Sequence, residues 1–202
     1  MEKKFKILAA SDLHQDIDAV KKLAKVAEKE RVGTVVLAGD LTYFDDDVSG
    51  MVGPLKGKSR QVVFVPGNHD SDATAAFVAE KYKVTNLQDR AVVIDGIGFF
   101  GCGGANVGPY FMTEKEIGET LERGFSYIKD AKKKVMVTHM HAANTMVEQF
   151  SFKGSKAVRK AIEKFRPDIH LSGHIHETEG LVEDIGPTRS YSIGKSGRII
   201  SI

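Results

Sequence analysis

Apolar residues in the first half of the chain fall into three short runs, 5–10, 34–38 and 62–65, and only Lys6 interrupts them. Each run closes on polar groups: Ser11-Asp12-Leu13-His14 after the first, Gly39-Asp40 after the second, and Pro66-Gly67-Asn68-His69-Asp70 after the third. Short apolar runs bounded by turn residues read as strands buried on both faces. Between the first two, Ile17, Val20, Leu23, Ala24 and Ala27 recur at helical spacing up to Glu30, with Asp16 placed as an N-cap. Residues 45–60 are rich in Asp, Gly, Lys and Ser without a period and read as loop with room for one helical turn. An alanine-rich helix is expected over 73–82.

The second half changes rhythm. Residues 91–95 and 97–102 read as antiparallel strands joined at Asp95-Gly96. Thr113 and Glu116 have capping-box spacing ahead of the helical face Ile117, Leu121, Phe125 and Ile128. Lys132-Lys133-Lys134 reads as a solvated turn before a buried strand, 135–138, that delivers His139-Met140-His141. Ser155 can cap a helix carrying Val158, Ala161, Ile162 and Phe165 and ended by Pro167, and the strand 169–172 then terminates in Gly173-His174-Ile175-His176. Residues 180–202 read as a β-meander with Gly194-Lys195-Ser196-Gly197 as its last hairpin turn. Strands whose carboxyl ends carry the polar residues are an α/β signature. The expectation is an α/β (α+β) chain of two mixed sheets packed face to face, with helices outside.

Composition changes this picture little. The chain has 202 residues, 42% hydrophobic and 28% charged, which fits one domain spanning 1–202. The formal net charge of +2 offers no field for nucleic acid or an anionic membrane. With a single cysteine, Cys102, no intrachain disulfide can form, and the apolar run behind the charged N-terminus is too short for a signal h-region, so a cytoplasmic location is expected. No run approaches a membrane span.

The polar strand ends carry the chemistry. Asp12, His14, Asp40, Asn68, His139, His174 and His176 together make a mixed nitrogen and oxygen donor set without thiolate, suited to first-row divalent metals. Seven donors are too many for one ion of ordinary coordination. If Asp40 bridges, they fit two ions about 3.5 to 4 Å apart, the arrangement used to clamp attacking and leaving oxygens in phosphoryl chemistry.

Asp12-Leu13-His14, Gly39-Asp40, Gly67-Asn68-His69-Asp70, the strand-end His139 and Gly173-His174-Ile175-His176 resemble, in order, the five-part signature of the calcineurin-like metallophosphoesterases. The resemblance implies a four-layer αββα sandwich. It implies one metal on Asp12, His14, Asp40 and His176 and a second on the bridging Asp40, Asn68, His139 and His174, with Mn2+ expected ahead of Fe, Ni, Zn or Mg. A hydroxide between the ions would attack phosphorus in line. His69 would steady the developing charge or protonate the leaving oxygen, and Asp70 would hold the His69 imidazole in orientation. Where the family's serine/threonine phosphatases continue Gly-Asp with a further Asp, Arg and Gly, Asp40 is followed by Leu41-Thr42-Tyr43-Phe44. The chain looks more like small prokaryotic phosphoesterases grouped with the cyclic-nucleotide phosphodiesterases.

The expected activity is therefore hydrolysis of a small phosphodiester, nucleotide-like in the first instance. A phosphomonoesterase or nuclease of the same fold is the alternative, and a non-catalytic metal-binding scaffold the alternative of another class. No membrane partner is expected, nucleic acid is disfavoured, and the oligomeric state is not encoded legibly. Strand alternation puts His141 on the face of His139, as a surface histidine or as a contact to substrate or a metal ligand. Asn106, in a glycine-rich segment, is a candidate substrate contact. His170 reads as a structural core histidine, and Asp45-Asp46-Asp47 as solvated loop.

Overall fold

The computed structural model describes residues 5–58, 60–88, 90–150 and 153–202; the charged N-terminal tetrapeptide lies outside them. The first sheet contains β1 (Lys6–Ala10), β2 (Thr34–Ala38), β3 (Gln61–Val65), β4 (Thr85–Asn86) and β11 (Arg198–Ser201), in the order β11-β1-β2-β3-β4. Its members are parallel except β11, which runs antiparallel to β1. The second sheet contains β5 (Val92–Ile94), β6 (Ile97–Cys102), β7 (Lys133–Thr138), β8 (Ile169–Ser172), β9 (Val182–Ile185) and β10 (Thr188–Ser192), in the order β5-β6-β7-β8-β10-β9. There β6, β7, β8 and β10 are parallel, and β5 and β9 close the edges antiparallel.

The alternation of each strand divides its side chains between two cores. Ile7 and Ala9, Val36 and Ala38, and Val63 and Val65 meet Ile97, Phe99, Val135, Val137, Ile169 and Leu171 between the sheets. The opposite residues of the first sheet, Leu8, Val35, Leu37, Val62 and Phe64, pack under α1 (Ile17–Lys29), the single turn α2 (Gly53–Lys56) and α3 (Asp72–Tyr82). Phe100, Cys102 and Met136 do the same under α4 (Glu114–Ile128) and α5 (Lys156–Phe165). Helix, sheet, sheet, helix is the layering that results, and it explains why the strands read as continuous apolar runs. None of the described helices is long and apolar enough to cross a membrane.

Capping follows the local chemistry. Asp16 accepts from the Ala19 N–H at 2.9 Å, Thr113 and Glu116 form a complete capping box, and Ser155 accepts from Val158 N–H at 3.1 Å. Two expectations are corrected. β10 and β11 belong to different sheets, so Gly194–Gly197 is not a hairpin turn but the crossing that returns the chain to pair with β1. The strands of 180–202 are separated by turn residues such as Gly186-Pro187 and Gly194, and turn residues do not say which sheet supplies the next strand's partner. The second concerns the lysine run: β7 begins at Lys133, whose ammonium pairs with Asp168 at 2.7 Å.

His170 is a core histidine. Thr138 Oγ1 donates to Met140 O at 2.6 Å, so it accepts from His170 Nε2 at 2.8 Å, and His170 Nδ1 accepts from the Ser190 hydroxyl at 2.9 Å. Burial, with His141 nearby, pushes its pKa down to about 3, which keeps the ring neutral. Replacing His170 with Leu strands the Ser190 hydroxyl, and an expected loss of about 1–3 kcal/mol is read from the urea midpoint.

Candidate metal centre

The carboxyl ends of β1, β2, β3, β7 and β8 meet along one edge of the sandwich. The backbone there is unusually constrained, with Asp12 at φ 55°, His14 at 42°, Asp40 at 51° and His174 at 74°. Left-handed backbone at a non-glycine residue costs on the order of 1–2 kcal/mol and persists where surrounding contacts over-determine it. Those contacts are visible. Asp12 N–H donates to Gly39 O and His14 N–H to Asp40 O, both at 3.0 Å, and Gly173 N–H donates to His139 O at 2.9 Å. Gly39 sits at φ 100°, and a Cβ on it would overlap the His139 ring. Gly67 is needed for space, because a Cβ there would overlap the Asp40 carboxylate and amide.

Asp40, almost completely buried, is the centre of the arrangement. Its Oδ1 accepts the His69 N–H at 3.0 Å, while Oδ2 lies 3.6 Å from His14 Nε2 and 3.4 Å from His139 Nε2. Asp12 Oδ1 lies 3.3 Å from His176 Nε2, and His176 Nε2 lies 3.4 Å from His14 Nε2. Asn68 Oδ1 is 2.9 Å from His139 Nε2. Two tight groups of possible ligands emerge, Asp12/His14/His176 and Asp12/Asp40/His139, their donor atoms within 4.8 Å of one another. His174 enters neither. Its backbone N–H donates to both Asp12 oxygens, at 3.2 and 3.1 Å, and its ring centroid lies 5.0 Å from that of His139.

These residues suit metal ions on grounds of their own chemistry. His139 Nδ1 is 2.8 Å from Ala38 O and His14 Nδ1 is 3.2 Å from Thr42 O, so each ring donates from Nδ1 and turns Nε2 inward. A backbone carbonyl on the far nitrogen is the usual support of a ligating histidine. Among the described residues no lysine or arginine pairs with Asp12 or Asp40, and their partners are imidazoles and backbone N–H groups.

Electrostatics without a cation are correspondingly tense. Burial raises the Asp40 pKa, but His139, the His69 N–H and His14 outweigh it and hold the group below the usual carboxylate range. Burial opposes charge on His139, yet Asp40 and Asp12 raise its pKa to about 9. His174 goes the other way, to about 4, through burial and the neighbouring His139. Burial also lowers His14, whereas the bond to Asp12 raises His176.

Asp70 departs from its expected role. Its Oδ2 accepts from Leu41 and Gly67 N–H, each at 3.0 Å, and its Oδ1 accepts from Thr42 N–H at 2.8 Å and Thr42 Oγ1 at 2.7 Å. The carboxylate is consumed in joining the loop after β2 to the loop after β3, and it does not orient the His69 ring. That ring is instead stacked on Tyr43, with centroids 5.1 Å apart and planes 18° apart, and meets Phe44 edge-on at 4.6 Å. Asp45 is likewise no solvated carboxylate, since it accepts the Ser71 N–H at 2.7 Å and the Tyr110 hydroxyl. Two adjacent aromatics, Tyr43-Phe44, shortly after Gly39-Asp40 were the available signal for this loop.

His141 is buried at 2% exposure, so it is not a surface histidine, and it lies close enough to His174 and His170 to help lower the pKa of each. Asn106 gives its Nδ2 to Glu114 Oε1 at 3.2 Å, and Glu114 in turn accepts from Ser155 Oγ at 2.9 Å and Ala157 N–H at 2.6 Å at the start of α5. Its amide therefore supports a helix start through Glu114.

A family model described as calcineurin-like phosphoesterase matches residues 5–178. The chain belongs to the calcineurin-like phosphoesterase family. An uncharacterized protein, MJ1162, of Methanocaldococcus jannaschii is 31% identical over 202 residues, 93% of this chain and 87% of that one. Among solved structures, TT1561 of Thermus thermophilus superposes with a TM-score of 0.78 at 20% identity, covering 96% of this chain and 91% of its own. A structure described as a novel archaeal phosphodiesterase gives 0.56 at 16% identity, covering 98% and 100%. At these identities the two structures support the fold alone. Calcineurin-like phosphoesterases are hydrolases of phosphoesters that work with two metal ions, which the donor set here can hold.

In metal-free protein the His139–Asp40 pair should leave a signature. His139 is raised from 6.5 to about 9, so its contribution to stability is complete below pH 6.5 and is lost as pH rises through 9. Asp40 is depressed from 3.8, so its contribution is present above pH 3.8 and is lost as pH falls below that value. Urea midpoints of chelator-treated protein should thus decline from pH 6.5 to 9, and saturating divalent metal should remove the decline because the ion replaces the His139 proton. Gly67→Ala should lower bound metal per chain, measured by atomic emission, through displacement of Asp40.

Proposed function

We propose that the chain hydrolyses a phosphodiester at this edge, with Mn2+ as its working metal. The observation that carries the reading is that one oxygen of Asp40, Oδ2, lies 3.6 Å from His14 Nε2 and 3.4 Å from His139 Nε2, within reach of one imidazole from each ligand group. Two divalent ions at such a site supply a nucleophilic water near neutral pH and neutralise charge on the phosphoryl oxygens. Asp12, His14, Asp40 and His176 would hold one ion, and Asp40, Asn68, His139 and His174 the other. His69 stands beside them, partly exposed, its ring 5.3 Å from that of His14, where it can hydrogen-bond a phosphoryl or leaving oxygen.

The test is hydrolysis of bis(p-nitrophenyl) phosphate and of p-nitrophenyl phosphate by Mn2+-loaded protein. The expected result is a higher kcat/KM for the diester. His69→Ala should lower kcat by about 10²-fold or more while leaving the circular dichroism spectrum unchanged, and Asn68→Ala should lower activity together with bound metal. No hydrolysis by the metal-loaded wild type, or full activity in His69→Ala, overturns the reading.

A further inference from the structure

We propose that Tyr43 and Phe44 are positioning residues for His69, holding its imidazole by ring packing where no carboxylate holds it. Three observations converge on them. The His69 ring lies flat on Tyr43, 5.1 Å between centroids at 18°, with Phe44 edge-on at 4.6 Å and Tyr43 and Phe44 themselves edge-on at 4.8 Å. Among the described residues His69 Nδ1 is buried with no hydrogen-bond partner, and the Asp70 carboxylate that follows it is spent on Leu41, Thr42 and Gly67. The two rings are also 50% and 53% exposed, which makes them poor contributors to either core, and both pack on the His69 ring.

The segment that carries them is built to stay put. Phe44 and Asp45 both adopt left-handed backbone, at φ 58° and 61°. That conformation is held from several sides. Asp45 N–H donates to His69 O at 3.3 Å and to Thr42 Oγ1 at 3.2 Å, and the Asp45 carboxylate takes the Ser71 N–H at 2.7 Å and the Tyr110 hydroxyl. The loop is thereby fastened to the backbone of the residue whose ring it sandwiches. A stacked and an edge-on contact fix the plane of an imidazole but leave its rotation within that plane soft, and each such pair is worth a factor of roughly two to ten.

Tyr43 also touches His14, with ring centroids 5.3 Å apart, so the experiment must separate an effect through His69 from one through a metal ligand or through substrate. Two measurements do so. In zinc-loaded protein with 13C-labelled histidine, the His69 Hε1 signal, assigned by its loss in His69→Ala, should move downfield in Tyr43→Ala as the ring current is removed, and return in Tyr43→Phe. An unmoved signal overturns the proposal. In steady-state kinetics, Tyr43→Ala/Phe44→Ala should lower kcat about ten- to a hundredfold with KM within about twofold and with wild-type metal content, and Tyr43→Phe should recover most of the rate. In a His69→Ala background the same double substitution should change kcat by less than about twofold. An equal loss in both backgrounds, a rise confined to KM, or a loss of metal shows that the rings act elsewhere and overturns the proposal. The kinetic arm rests on the hydrolytic reading above; if the wild type hydrolyses neither ester, that reading fails, and the spectrum still decides whether the clamp exists.

Discussion

Everything at the functional edge depends on one buried carboxylate. Asp40 follows β2 in the middle of the first sheet, yet its nearest imidazole, His139, follows β7 in the second. A charge with so little access to water needs compensation, and the compensation comes from both sheets at once: an N–H and an imidazole from the first sheet and an imidazole from the second. The requirement fixes how closely the carboxyl ends of the two sheets approach. It also explains the bare glycines at 39 and 67, since side chains there would occupy the space of His139 and of Asp40 itself.

Strain is concentrated on the same edge. Asp12, His14, Asp40 and His174 adopt left-handed backbone, and each lies in a loop whose N–H and C=O groups bond a neighbouring strand end. Such conformations aim a side chain out of the direction its strand would give it. The apolar layers on either side supply the stability that makes this tolerable, and His170, held in its own hydrogen-bond network, shows that not every histidine in these strands is turned toward the metal edge.

The loop after β2 does for His69 what was expected of Asp70. Asp70 is a structural anchor that captures the backbone of Leu41 and Thr42, so that the aromatic pair beyond them lands on His69. The imidazole is then framed by dispersion and ring quadrupoles instead of a charge-assisted hydrogen bond, a weaker and less directional restraint. That difference bears on how firmly a proton on His69 is aimed.

The order of the main elements, the burial of the strands and the gathering of candidate ligands at one edge were legible in the sequence because each depends on local pattern: apolar runs, caps, and polar residues placed immediately after a strand. Asp12, His14, Asp40, Asn68, His139 and His176 could be collected without knowing any distance, since parallel strands deliver their carboxyl ends to one edge. What a partner strand or a hydrogen-bond acceptor will be is a long-range matter, and there local pattern is silent. Only the tertiary structure decided that β11 crosses to pair with β1, that Asp70 turns to Thr42 and away from His69, that Asn106 is drawn to Glu114, that His141 is buried, and that the rings of Tyr43 and Phe44 close on His69. In each case the choice is made by which group three-dimensional packing brings within bonding distance, and a one-dimensional pattern of residue types does not contain that distance.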